Sequence, residues 1–103
     1  MKQPVLSDAD LQSALAPPDG PGWELIGGRL VKVVNCDGFV GALAFVNEVG
    51  QLAEKANHHP DIDIRYNRVT MALVTHDSGG ITQLDVDMAR AIDGVRAGVR
   101  GKS

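Results

Sequence analysis

Pro60-Asp61-Ile62-Asp63-Ile64-Arg65-Tyr66-Asn67, followed by Val69, Met71 and Leu73, is the stretch on which the fold turns. Ile62, Ile64 and Tyr66 alternate with Asp61, Asp63 and Arg65, the two-residue period of a strand with one face in water. Asn67 suits a tight turn. Val69, Met71 and Leu73 resume the alternation on a return strand expected to end at Thr75 or His76.

Working outward, a second hairpin is expected upstream. Trp23 to Ile26 and Arg29 to Asn35 are rich in branched and aromatic residues, and Gly27-Gly28 between them can take the positive φ of a two-residue loop. The segment between the hairpins reads as a helix opened by Asp37, with Phe39, Ala42, Leu43, Val46, Val49 and Ala53 forming one buried stripe. It carries no charge between Asp37 and Glu48 and is apolar nearly all round in its first half. That pattern fits a helix sunk in its own core or a self-association surface, and a homo-oligomer is the expectation.

At the ends, Ser7 is placed to cap a short helix reaching about Leu15, with Leu6 and Leu11 spaced as a hydrophobic staple. After Gly79-Gly80, Thr82 caps a last helix whose inner stripe is Ile81, Leu84, Met88, Ile92, Val95 and Val99. The fold class is therefore α+β, in the order α-β-β-α-β-β-α: a four-stranded antiparallel sheet with three helices packed on one face. The linker-like stretch Ala16 to Gly22 ends the first helix, and the tail Gly101-Lys102-Ser103 is expected to fray.

The 103 residues suit a single domain over 1–103. A net charge of −3 and four aromatic residues give no basic, stacking-competent face for nucleic acid, so no nucleic-acid partner is expected. The longest apolar run, Phe39 to Val46, is far below the ~20 residues of a membrane span, so no membrane association is expected. One cysteine, Cys36, cannot close an internal disulfide, and no export-like segment opens the chain; a reducing, cytoplasmic setting is expected.

All three histidines fall in one part of the chain: His58 and His59 before Pro60, and His76 at the far end of the hairpin. Imidazole exchanges protons near neutrality, with an ordinary pKa of about 6.5, so this clustering suggests acid–base chemistry. Glu54 precedes His58 by four residues and can touch it if the helix continues that far, and the helix dipole there favours a protonated ring. His59 precedes a proline and is expected to point elsewhere. The antiparallel hairpin brings His76 back toward its start, so that three rings line one cleft. Asp85, three residues after Thr82, fits a capping box, an active-site role, or both.

Three histidines and a carboxylate are also zinc-ligand types, but adjacent histidines rarely aim at one ion, and no metal is expected. Cys36 falls just before a helix, a setting that can activate a thiol, yet nothing places a histidine beside it.

The spacing Glu54, His58-His59-Pro60, Tyr66, His76, Asp85, with the pair Gly22-Trp23 at the first hairpin, resembles the signature of the pterin-4a-carbinolamine dehydratases over nearly the whole chain. The resemblance implies a hydro-lyase of tetrahydrobiopterin recycling, dehydrating 4a-hydroxytetrahydropterin to quinonoid dihydropterin without a cofactor. It implies His58 and His76 as the acid/base pair and His59 chiefly as a pterin-positioning hydrogen-bonder. Glu54 would then orient His58 and Asp85 would support His76, with Asn57, Pro60 and Trp23 at the substrate. Asn57 departs from the aspartate often found before the two histidines, which removes a charge. A homodimer or homotetramer is implied. Family members also serve as dimerisation partners of transcription factors or as assembly chaperones, a non-enzymatic alternative that would use the apolar second helix.

Overall fold

The computed structural model describes residues 4–15 and 22–100. In chain order the elements are α1 (Asp8–Leu15), β1 (Glu24–Ile26), β2 (Arg29–Asn35), α2 (Gly38–Ala56), β3 (Asp61–Arg65), β4 (Arg68–Leu73) and α3 (Gln83–Arg100), with a 3₁₀ turn at His76–Ser78. The four strands form one antiparallel sheet in the order β1-β2-β4-β3. Gly27 and Gly28 both take positive φ in the first hairpin, as a two-residue loop demands.

Alternation fixes which face is covered. Leu30 and Val34 of β2 and Val69, Met71 and Leu73 of β4 are buried, while Arg29, Asn35 and Arg68 point the other way and are exposed. The three helices lie over the first of these faces. Ala42, Phe45 and Val49 of α2, Val86 and Ile92 of α3, and Leu11 of α1 close one core with it. Ser7 Oγ accepts from the Asp10 amide, so the expected cap of α1 forms. Among the described residues no helix is long and apolar enough to cross a membrane.

Four details differ from expectation. First, the buried side of α2 is Ala42, Phe45, Val49 and Ala53; Phe39 (49% exposed) and Leu43 join Val40 (78% exposed) on the outside. A helix apolar on both faces gives its period but not its phase. Second, Asp37 occupies the N-cap position without a side-chain cap bond. Its φ of −85° and ψ of 86° and the Gly38 amide bond to the Cys36 carbonyl form an inverse γ-turn, so the backbone itself makes the entry. Third, Tyr66 takes φ 54° in the loop between β3 and β4, not a strand position, because Arg65 pairs with Arg68 and leaves two residues to turn the chain. Fourth, β4 ends at Leu73 and β1 begins at Glu24. The stretch 16–21, the tail 101–103 and the side chain of Val99 lie outside the described residues.

Candidate active site

The end of α2 sets the geometry. Asn57, the first residue past the helix, adopts a left-handed conformation (φ 52°, ψ 43°). The His58 amide donates to the Ala53 carbonyl and the Asn57 amide to that of Glu54, the two bonds of a Schellman motif. Asparagine tolerates this backbone better than other non-glycine residues. The motif swings the chain off the helical path, so His58 no longer sits one turn above Glu54.

The partners expected from spacing are therefore exchanged. His58 reaches across to α3, where its Nε2 lies 2.6 Å from Asp85 Oδ1. His59 folds back, and its Nε2 lies 2.6 Å from Glu54 Oε2. The side chains of the first pair are 10% and 0% exposed, those of the second 53% and 79%. Asp85 supports His58 directly, rather than His76.

Asp85 is held from behind by α3's own entry. Thr82 is the N-cap: its Oγ1 accepts from the Leu84 amide at 3.2 Å, and its amide donates to Asp85 Oδ2 at 2.9 Å. This is a capping box with aspartate in the third position, and the positive end of the helix favours a carboxylate there. The expected cap and the contact with a candidate site residue thus coexist in one side chain. Thr75 Oγ1 donates to the same Oδ2 at 2.8 Å and lies 2.8 Å from Thr82 Oγ1. The sequence marks Thr82 as a helix cap, through the Thr82-x-x-Asp85 spacing, and Thr75 only as a candidate strand end; Thr75 reaches the carboxylate through the tertiary fold alone.

His76 opens the 3₁₀ turn and is exposed. Its neighbour Thr75 bridges to Gly80 and bonds Asp85, which links this turn to His58 through one carboxylate. An open, mostly apolar groove of about 260 Å³ runs between α2 and α3, lined by His58 together with Leu52, Lys55, Leu84, Asp87 and Met88. That is just below the ~300–1,000 Å³ of drug-sized sites and suits one small molecule. Pro60 carries the chain from His59 into β3. Trp23 stands apart: it is buried, and its indole N–H donates to Asp93 Oδ1, while the Lys32 ammonium sits 5.8 Å over its ring and bonds the same oxygen. Asp93 lies eight residues beyond Asp85, about 12 Å along the helix at ~1.5 Å per residue, so the structure does not bring Trp23 to this cluster. Among the described residues no three His, Cys, Asp or Glu side chains converge as metal ligands. Cys36 is half-buried against the core.

Residues 4–95 match the family model for pterin 4 alpha carbinolamine dehydratase. A protein of Acidobacterium capsulatum, provisionally named as a pterin-4-alpha-carbinolamine dehydratase, is 56% identical over 73 residues, covering 71% of this chain and 79% of that one. The crystal structure of a transcriptional coactivator/pterin dehydratase from Brucella melitensis superposes with a TM-score of 0.82 at 31% identity, over 89% of this chain and 98% of the other. A pterin dehydratase-like protein identified as a RuBisCO assembly factor in the alpha-carboxysome shares the fold at a TM-score of 0.63 and 20% identity, over 73% of this chain and 89% of that one.

Proposed function

The chain belongs to the pterin-4a-carbinolamine dehydratase family, and on that premise we propose that it is a hydro-lyase that dehydrates a 4a-hydroxytetrahydropterin to the quinonoid dihydropterin, the recycling step after aromatic amino acid hydroxylation. The observation that carries the reading is the His58–Asp85 pair, a nearly buried imidazole held on a fully buried carboxylate at the edge of the α2–α3 groove.

The reaction needs one proton delivered and one removed. The C4a hydroxyl leaves as water once protonated, the N5 electron pair closes the C4a=N5 bond, and the N5 proton passes to a base. With Nε2 engaged by Asp85, His58 has Nδ1 left for the substrate, and that nitrogen has no partner among the described residues. His58 is assigned to one proton transfer and His76, carried on the turn that Thr75 ties to Asp85, to the other. His59, in water and braced by Glu54, is assigned to hydrogen-bond the pterin. Asn57 and Pro60 shape the turn that presents both rings. Trp23 is assigned a structural role in place of substrate contact. Positioned acid–base groups typically contribute 10²- to 10⁴-fold.

A homodimer or homotetramer is part of this proposal, supported by the exposed Phe39, Val40 and Leu43 of α2. Light scattering that gives a clean monomer at micromolar concentration rejects it. The non-enzymatic reading is not adopted, because a likeness at 20% identity to an assembly factor shows the fold alone. Stopped-flow mixing with synthetic 4a-hydroxytetrahydropterin tests the activity: faster loss of the carbinolamine than in buffer is expected, and no acceleration overturns the reading.

A further inference from the structure

We propose that Thr75 and Thr82 are positioning residues that fix the tautomer of His58 through Asp85. The kinetic consequence rests on the dehydratase reading; the structural content does not.

Counting protons gives the direction of every bond in the cluster. Thr75 has one hydroxyl hydrogen, and Asp85 Oδ2 receives it at 2.8 Å. The 2.8 Å contact between the two threonine hydroxyls must then be Thr82 Oγ1–H donating to Thr75 Oγ1. Thr82 Oγ1 in turn accepts from the Leu84 amide. A one-way donor chain therefore runs from the first turn of α3, through Thr82 and Thr75, to Asp85 Oδ2, where the Thr82 amide also donates. Thr82 and Asp85 are 0% exposed and Thr75 only 8%, so water has little access to replace any of these bonds.

With Oδ2 occupied by two donors, Oδ1 faces His58 as an acceptor and Nε2 must supply the hydrogen. The neutral ring then carries its proton on Nε2 and keeps the Nδ1 lone pair free of any bond to the described residues. The other charged groups lining that groove with His58 are Lys55 from α2 and Asp87 from α3. Among the described residues neither bonds the ring, so the tautomer is assigned to Asp85. The terminal torsion of a carboxylate is soft, and what holds its plane is the pair of donors on Oδ2. Without the Thr75 hydroxyl, Oδ2 keeps one donor, the Thr82 hydroxyl loses its acceptor and turns to compete for the carboxylate, and Oδ1 is no longer aimed at Nε2.

The test is imidazole ¹⁵N NMR on the full chain at a pH of about 8, where an ordinary imidazole is neutral, read beside turnover. The wild type is expected to show His58 as a single Nε2–H tautomer. Thr75→Val, which keeps shape and removes the hydroxyl, is expected to give a mixture of both tautomers and, by analogy with the outer partners of metal-bound histidines, a kcat lowered roughly 10- to 100-fold, with KM little changed. Thr75→Ser is expected to restore both. A wild-type ring protonated on Nδ1, a Thr75→Val ring with the wild-type tautomer, or a Thr75→Ser variant that behaves like Thr75→Val overturns the proposal. If Thr75→Val does not fold, Thr75→Ala is read in its place, with the same mixed tautomer expected and a wild-type tautomer overturning the proposal. Absence of turnover in the wild type removes the dehydratase reading and leaves the NMR arm standing, while a failed NMR arm with normal turnover removes only the positioning role.

Discussion

Two histidine–carboxylate pairs sit side by side at the end of α2, each closed at 2.6 Å, and they differ in almost everything else. His58–Asp85 joins two helices, is shielded from water and is backed by two threonines. His59–Glu54 is local and exposed. Distance alone would rank them equal; burial and the partners of the second carboxylate oxygen separate them. An exposed ion pair is worth about 0–1 kcal/mol, whereas each buried donor left without its acceptor costs about 1–3 kcal/mol.

Breaking the buried pair is thus the largest expected effect. Asp85→Ala leaves the His58 ring, the Thr75 hydroxyl and the Thr82 amide without their acceptor and removes half of the capping box. Denaturant titration is expected to show a loss of about 3–5 kcal/mol, at about 1–3 kcal/mol for each of these donors left unsatisfied. A change below about 1 kcal/mol would mean that the carboxylate is no more important than the exposed one. Replacing the other member tests chemistry more than stability. His58→Ala is expected to lower dehydratase kcat by roughly 10²- to 10⁴-fold in stopped-flow mixing, and full turnover by that variant removes His58 from the mechanism.

The element order, both hairpins and the capping box at Thr82 were legible because each is written locally, in alternation, glycine pairs and a fixed three-residue spacing. The histidine cluster was legible as a set. Its pairing was not: the four-residue spacing from Glu54 to His58 implies contact only while the helix continues, and Asn57 stops it. That asparagine is itself a readable signal, since it favours the left-handed position just past a helix and Pro60 follows shortly after. The phase of α2 was not legible because Phe39 and Phe45 are equally apolar, and only the sheet beneath decides between them. Thr75 gives no local signal; its role depends on a carboxylate ten residues later and on the bridge from Thr75 to Gly80 that folds the intervening turn.

Asn57 is the hinge between the two pairs, so it sharpens the comparison from the backbone side. Asn57→Gly keeps access to the left-handed conformation and is expected to change stability by only a few tenths of a kcal/mol. Asn57→Val places a branched side chain at positive φ and is expected to cost about 1–2 kcal/mol in denaturant titration. Equal stability of the two variants would show that this turn is not what separates His58 from the helix.

The smallest effect is expected at the exposed pair. Glu54→Gln keeps a hydrogen-bond acceptor for His59 Nε2 and removes only a charge already in water. Its stability cost is expected to stay below about 1 kcal/mol and to shrink further at high salt, since exposed pairs are screened over roughly 10 Å at 0.1 M. In turnover, a role in aiming His59 at the pterin predicts a raised KM with kcat nearly unchanged, the mark of lost ground-state binding. A fall in kcat as large as that of His58→Ala would instead place the exposed pair in the proton transfer, and the contrast between the two pairs would collapse.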